Sequence, residues 1–216
     1  MLTRIRRIYK VMNMTVKERF LKYVKYETTS DENSGTCPST AGQKVLLNEL
    51  KNELQTMGIA AKIDDYGYVT AVIPATKSGL KRICFISHVD TSPAVSGRNV
   101  NPQFVNYNGG DIILKNGIKI SLEENPYMSK YIGKELIVTD GETLLGADDK
   151  AGVAEIMSAA EILANDKSIA HGDVLIAFTP DEEIGRGTDM FDVKAFGADF
   201  GYTVDGGELG GIEYEN

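Results

Sequence analysis

The chain has 216 residues, 42% of them apolar and 25% charged, which is enough for one well-filled core and too apolar for a disordered chain. Six prolines, 22 glycines without a period, and no apolar run near the ~20 residues that a spanning helix needs exclude collagen-like and helical membrane-spanning readings. A net charge of -8 sets the chain against a nucleic-acid partner unless a basic face is segregated.

Residues 1–13 differ from the rest. They carry Arg4, Arg6, Arg7 and Lys10 with no acid, so removing that +4 leaves the remainder at -12. The segment lacks the apolar stretch and small-residue cleavage site of a secretory signal, and it is short and serine-free for a mitochondrial presequence. It is expected to be a disordered basic tail ahead of a domain running from Met14 to Asn216. From there, Thr15-Val16-Lys17-Glu18 has the form of a capping box, and Val16, Phe20, Leu21 and Val24 mark one face of a short helix ending near Tyr26. Glu27 to Pro38 is polar loop. Thr40-Ala41-Gly42-Gln43 repeats the cap pattern, and Leu46, Leu50, Leu54 and Met57 recur at helical spacing until Gly58 stops the helix. Ile59–Ile63 and Tyr68–Ile73 flank Asp64-Asp65-Tyr66-Gly67 as strand, turn and strand. Ile83–Ile86 reads as a strand buried on both faces.

Thr91 to Asp140 is rich in Asn, Gly and Pro around short apolar pieces such as Ile112–Leu114 and Leu136–Val138, and is expected to be a long excursion with small strands. Val153, Ile156, Met157, Ala160 and Leu163 then mark a helix. Val174–Phe178 and Tyr202–Val204 are expected to be buried strands. The alternation predicts an α/β domain with a mixed, largely parallel sheet flanked by helices. Cys37 falls in a polar loop and Cys84 in an apolar strand, with no CxxC, which fits a reduced, cytoplasmic setting.

Acidic and histidine clusters border these apolar segments. His88-Val89-Asp90 follows the Ile83 strand, Asp148-Asp149 precedes a helix, Asp181-Glu182-Glu183 follows the Val174 strand, and Asp205 follows the Tyr202 strand. Each alone has a plain explanation: an HxD is usually structural, a DEE run a solvated turn, and Asp148-Asp149 a helix cap. Together, beyond the carboxyl ends of strands where α/β sheets bind ligands, they can converge on one crevice. Carboxylates so gathered need protons or cations to neutralise them. One imidazole among carboxylates, without thiolate, suits zinc, manganese or cobalt better than calcium. Asp90, two residues along from His88, can lie beside its ring and fix its tautomer. Of the adjacent Glu182 and Glu183, one can bind metal while the other faces the cavity as a general base.

The stretches HVDTSP (88–93), NVNPQ (99–103), LLGADDKAG (144–152), FTPDEEIG (178–185) and YTVDGG (202–207) together resemble the tripeptide-aminopeptidase branch of the zinc-exopeptidase family, which also contains carboxypeptidase G2-type enzymes and desuccinylases. The likeness runs in order from about Met14 to Asn216. It implies two zinc ions: His88 and Asp205 bind one, Glu183 binds the second, and Asp148 bridges both. It also implies that Asp90 orients His88, that Glu182 takes a proton from the bridging water that attacks the peptide, and that the Asp148–Asp149 bond is cis. The family's second zinc needs a further histidine. His171 is no substitute, because it precedes the Val174 strand and so lies some 20 Å from Glu183 at ~3.3 Å per residue. The dimerising lid domain and closing strands of family members are also expected to be missing here. The chain then reads as the amino-terminal part of a catalytic domain with low or no activity alone. A related N-acyl amino acid deacylase or desuccinylase, and a metal-binding or partner-binding remnant, are the alternatives.

Overall fold

The computed structural model describes residues 13–207 and 209–214. The basic tail expected over 1–13 lies outside them except for Asn13. The first helix, α1 (Val16–Tyr23), opens with the capping box its sequence predicts: the Glu18 N–H donates to the Thr15 hydroxyl and the Thr15 N–H to the Glu18 carboxylate. Helix α2 (Ala41–Thr56) buries Leu46, Leu47, Leu50 and Leu54. The second expected capping box does not form. Thr40 makes no cap bond; its hydroxyl donates to the Thr29 carbonyl at 2.9 Å, and Gln43 turns inward to a partner 138 residues away.

A five-stranded sheet follows, assembled from β1 (Ala60–Ile63), β2 (Val69–Ile73), β3 (Ile83–His88), β8 (Val174–Thr179) and β9 (Phe200–Thr203) in the spatial order β1-β2-β8-β3-β9. The β1–β2 and β2–β8 pairings are antiparallel, while β3 runs parallel to both β8 and β9. The sheet is therefore mixed. Its helical side carries one core, in which Leu46, Leu50 and Leu54 of α2 and Val153, Ile156 and Met157 of helix α3 (Ala147–Asn165) meet Val69, Ala71, Ile73, Val174, Ile176 and Phe178. Strand β8, central in the sheet, is buried throughout, as its unbroken apolar run predicts. Strand β3 is less enclosed than expected, with Ile83, Phe85 and Ile86 only half-buried.

The expectation of burial fails outright for β9, which is exposed along its length. Among the described residues it is an edge strand, paired with β3 on one side; Phe85 stacks on Tyr202, and Phe200 meets Tyr202 at its edge. The excursion forms as expected. It holds two small antiparallel pairs, β4 (Gln103–Tyr107) with β7 (Lys134–Val138) and β5 (Ile112–Ile113) with β6 (Lys119–Ile120), around a second core of Tyr107, Ile112, Leu114 and Met128. A short helix, α4 (Val193–Phe196), precedes β9. Among the described residues, no helix is long and apolar enough to cross a membrane.

Candidate metal centre

The parallel register decides where the chemistry gathers. His88 pairs with Thr179, and the Val204 N–H donates to the Ile86 carbonyl at 2.8 Å, so β3, β8 and β9 end side by side. The segments beyond them therefore bring His88, Asp181–Glu183 and Asp205 to one edge of the sheet. Helix α3 brings Asp148 to the same edge. Its close approach depends on Gly152, where a Cβ would stand 2.1 Å from the Val204 carbonyl oxygen and 2.8 Å from the Ser87 hydroxyl.

At this edge His88 is 2% exposed. Its Nδ1 lies 3.2 Å from Asp90 Oδ1 and its Nε2 2.9 Å from Asp148 Oδ1, with Asp205 at 3.7 Å and Glu182 at 3.8 Å from Nε2. One ligand atom each from His88, Asp148 and Asp205 lies within 4.8 Å of the others. An imidazole with two exposed carboxylates is a donor set suited to a zinc-like divalent ion. With Nδ1–H directed at Asp90, the Nε2 lone pair is the one left for a metal. Glu183 stands outside this group, although the charge of Asp148 reaches it and, after burial, helps raise its pKa. His171 lies at the amino end of β8, away from the cluster, with Nδ1 on the Gly172 carbonyl.

Asp90, fully buried, does more than sequence reasoning assigned to it. Besides facing His88, its two oxygens accept the backbone N–H groups of Glu182 at 3.0 Å and Glu183 at 3.1 Å. The Asp148–Asp149 peptide is cis. Asp149, whose place in the sequence suits a helix cap, is instead 1% exposed beneath the site and accepts from the Ser87 hydroxyl and the backbone N–H groups of His88 and Gly152. Burial pushes its carboxyl up to about 8. Lys150, equally buried, donates to the Tyr26 carbonyl at 2.8 Å, and burial lowers its ammonium to about 8 against the opposing charge of Asp90. Sequence reasoning missed the roles of Ser87 and Lys150. Their sequence signal was proximity to His88 and Asp148, but nothing in the chain order showed which way they point.

Burial acts to lower the His88 pKa, but the hydrogen bond and charge of Asp90, followed by the charges of Asp149 and Asp205, outweigh it and raise the value to about 10. In the metal-free chain the imidazole is thus protonated at neutral pH, and a metal must displace the Nε2 proton. Zinc affinity should therefore rise with pH, by about tenfold per unit for one displaced proton, and level off near pH 10. Calorimetric titrations between about pH 6 and 8 check this, and a flat affinity would remove His88 from the ligand set.

This mixed sheet with flanking helices, and with acids gathered around a histidine at its carboxyl edge, defines the class: it is the catalytic-domain fold of solved exopeptidases. An aminopeptidase PepT of Bacillus cereus superposes with a TM-score of 0.61 at 27% identity, covering 88% of this chain and 43% of that one. By sequence the chain is a homologue of peptidase T, 59% identical to that of Caldanaerobacter subterraneus and 56% identical to that of Clostridium acetobutylicum over 206 residues. Those matches take in 93% of this chain, which spans about half the length of the curated relatives it matches. No protein-family model matches the chain.

Proposed function

We propose that the chain carries part of a dizinc aminopeptidase site that releases the amino-terminal residue of tripeptides in the cytoplasm. The convergence of His88, Asp148 and Asp205 in a peptidase T homologue carries this reading. His88 and Asp205 would hold one zinc, Glu183 the second, and Asp148 both; Asp90 would retain the Nδ1 proton, so that Nε2 is the nitrogen that gives up its proton to the metal. Bound zinc would polarise the scissile carbonyl and lower the pKa of water. Glu182, half-exposed at the rim with its carboxylate 3.8 Å from His88 Nε2, would accept a proton from the attacking water and return it to the leaving amine. The two free thiols, Cys37 and Cys84, support a reducing compartment.

The chain has two histidines, and His171 sits away from the cluster, so only one zinc has an imidazole here. Alone, it should hold one zinc well and turn over tripeptides far below the ~1–10³ s⁻¹ usual for enzymes. Extended by the part of the Caldanaerobacter relative that it does not match, it should regain turnover, and Glu182→Gln should then lower kcat by about 10²–10⁴-fold. The assay pairs a tripeptide panel with N-acyl amino acids. Preference for the acylated substrates would replace the tripeptidase reading with a deacylase, and full turnover by the unextended chain would overturn its incompleteness.

A further inference from the structure

Asp181 immediately precedes the two glutamates of the site, and the mechanism gives it no task. It is fully buried and sits in the left-handed region at φ 57°, ψ 27°, a conformation that aspartate tolerates better than most residues. Its carboxylate accepts the Ser39 N–H at 2.7 Å, the Ser39 hydroxyl, and Gln43 Nε2 at 2.7 Å. Gln43 Oε1 in turn accepts the Asp181 N–H at 3.1 Å, so one side-chain amide grips the residue by backbone and carboxylate together.

That amide is not free to move. Gln43 is fully buried in the first turn of α2, on the same face as Leu46, Leu47 and Leu50. A polar side chain on an apolar helix face is costly unless its partners are fixed. The next two residues of the turn are held from the other side, since the Glu182 and Glu183 N–H groups both end on Asp90, which also faces His88. On leaving the turn, the Arg186 N–H returns to the Asp181 carbonyl at 2.9 Å. The glutamate turn is thus clamped at its entrance by α2 and along its length by the residue that orients the imidazole.

We infer that Gln43 and Ser39 are positioning residues for Glu182 and Glu183, acting through Asp181 to hold the turn against Asp90. The link to metal rests on the assignment of Glu183 above; the mechanical part does not. Amide hydrogen exchange on the full metal-free chain tests the latter. In Gln43→Met the Glu182 and Glu183 amides should exchange about tenfold faster or more while those of β8 keep their protection. Ser39→Ala, a smaller lesion, should move the same two amides in the same direction and serves if Gln43→Met does not fold. Unchanged exchange at both amides, or an equal loss across β8, would overturn the inference.

Cobalt titration of the same proteins, followed by calorimetry and visible absorption, tests the functional link. A tight phase containing His88 should stay within about twofold in Gln43→Met, and a weaker phase that uses Glu183 should lose about 10–100-fold and change its absorption band. Loss of both phases together would mark a merely structural role and count against positioning. A weaker phase that Glu183→Gln leaves intact would instead sink the ligand assignment. If that phase depends on Glu183 but is insensitive to Gln43→Met, only the positioning role falls.

Discussion

Replacing Arg19 with Met should destabilise the chain by about 3–5 kcal/mol, because it strands a buried carboxylate. Arg19 and Glu161 are each 1% exposed, and the guanidinium lies between Glu161 of α3 and Glu53 of α2. Glu53 keeps Lys22 and the Tyr23 hydroxyl, both at 3.0 Å, when the arginine is gone. Among the described residues, Glu161 has no such reserve of side-chain partners; the other bond to its carboxylate comes from the backbone N–H of Asn13. The loss should therefore be recovered in large part by the double variant Arg19→Met with Glu161→Leu, which removes both charges from the same apolar surroundings. Urea unfolding of the two single variants and the double gives the coupling. Additive losses in the double variant would show that the pair is not the source of the effect.

Zinc at about a hundred times its dissociation constant should stabilise the chain by about 2.7 kcal/mol, a rise in melting temperature of about 5–11 °C for a domain of this size. The physical reason is the crowd of Asp148, Asp205 and Glu182 around a single imidazole, whose mutual repulsion a divalent ion relieves. Asp148→Asn should erase the rise, and it is a cleaner probe than a change at His88 because the Asp148 side chain is 65% exposed and contributes little to the core. Melting curves with zinc, and after its removal by chelator, check the point. An equal rise in Asp148→Asn would place any bound zinc elsewhere.

Much of this fold was legible in the chain because its signals are local. The Thr15–Glu18 cap, the leucine stripe of α2 and the apolar run of β8 each report on neighbours a few residues away. The clusters at strand ends were legible too, since an HxD and a DEE placed after apolar runs must emerge at a sheet edge. What stayed hidden depends on contacts between distant segments. Thr40-x-x-Gln43 has the form of a cap, yet Gln43 is claimed by Asp181, whose hydrogen-bonding demand no local window reveals. The better signal was its position three residues before Leu46 and seven before Leu50, on the face that must be buried. Similarly, Tyr202–Val204 has strand composition, but composition does not say whether a strand is central or at an edge, and the burial of β9 turned on that alone. Asp149 shows the limit most sharply: its neighbour Asp148 is exposed and it is not, because the backbone turns between them.

The position of β3 between β8 and β9 also bears on how the molecule reaches its native state. Each of the two pairings that align the site joins residues about a hundred apart in the chain, so each closes a long loop whose entropy must be lost before any contact rewards it. Helices α1 and α2 and the β1–β2 hairpin need no such closure and can form early from local contacts. The metal ligands are consequently drawn together only when the slowest part of the sheet has zipped. The donor cluster is thus a product of completed folding rather than a nucleus for it, and the ion should select chains that have already finished.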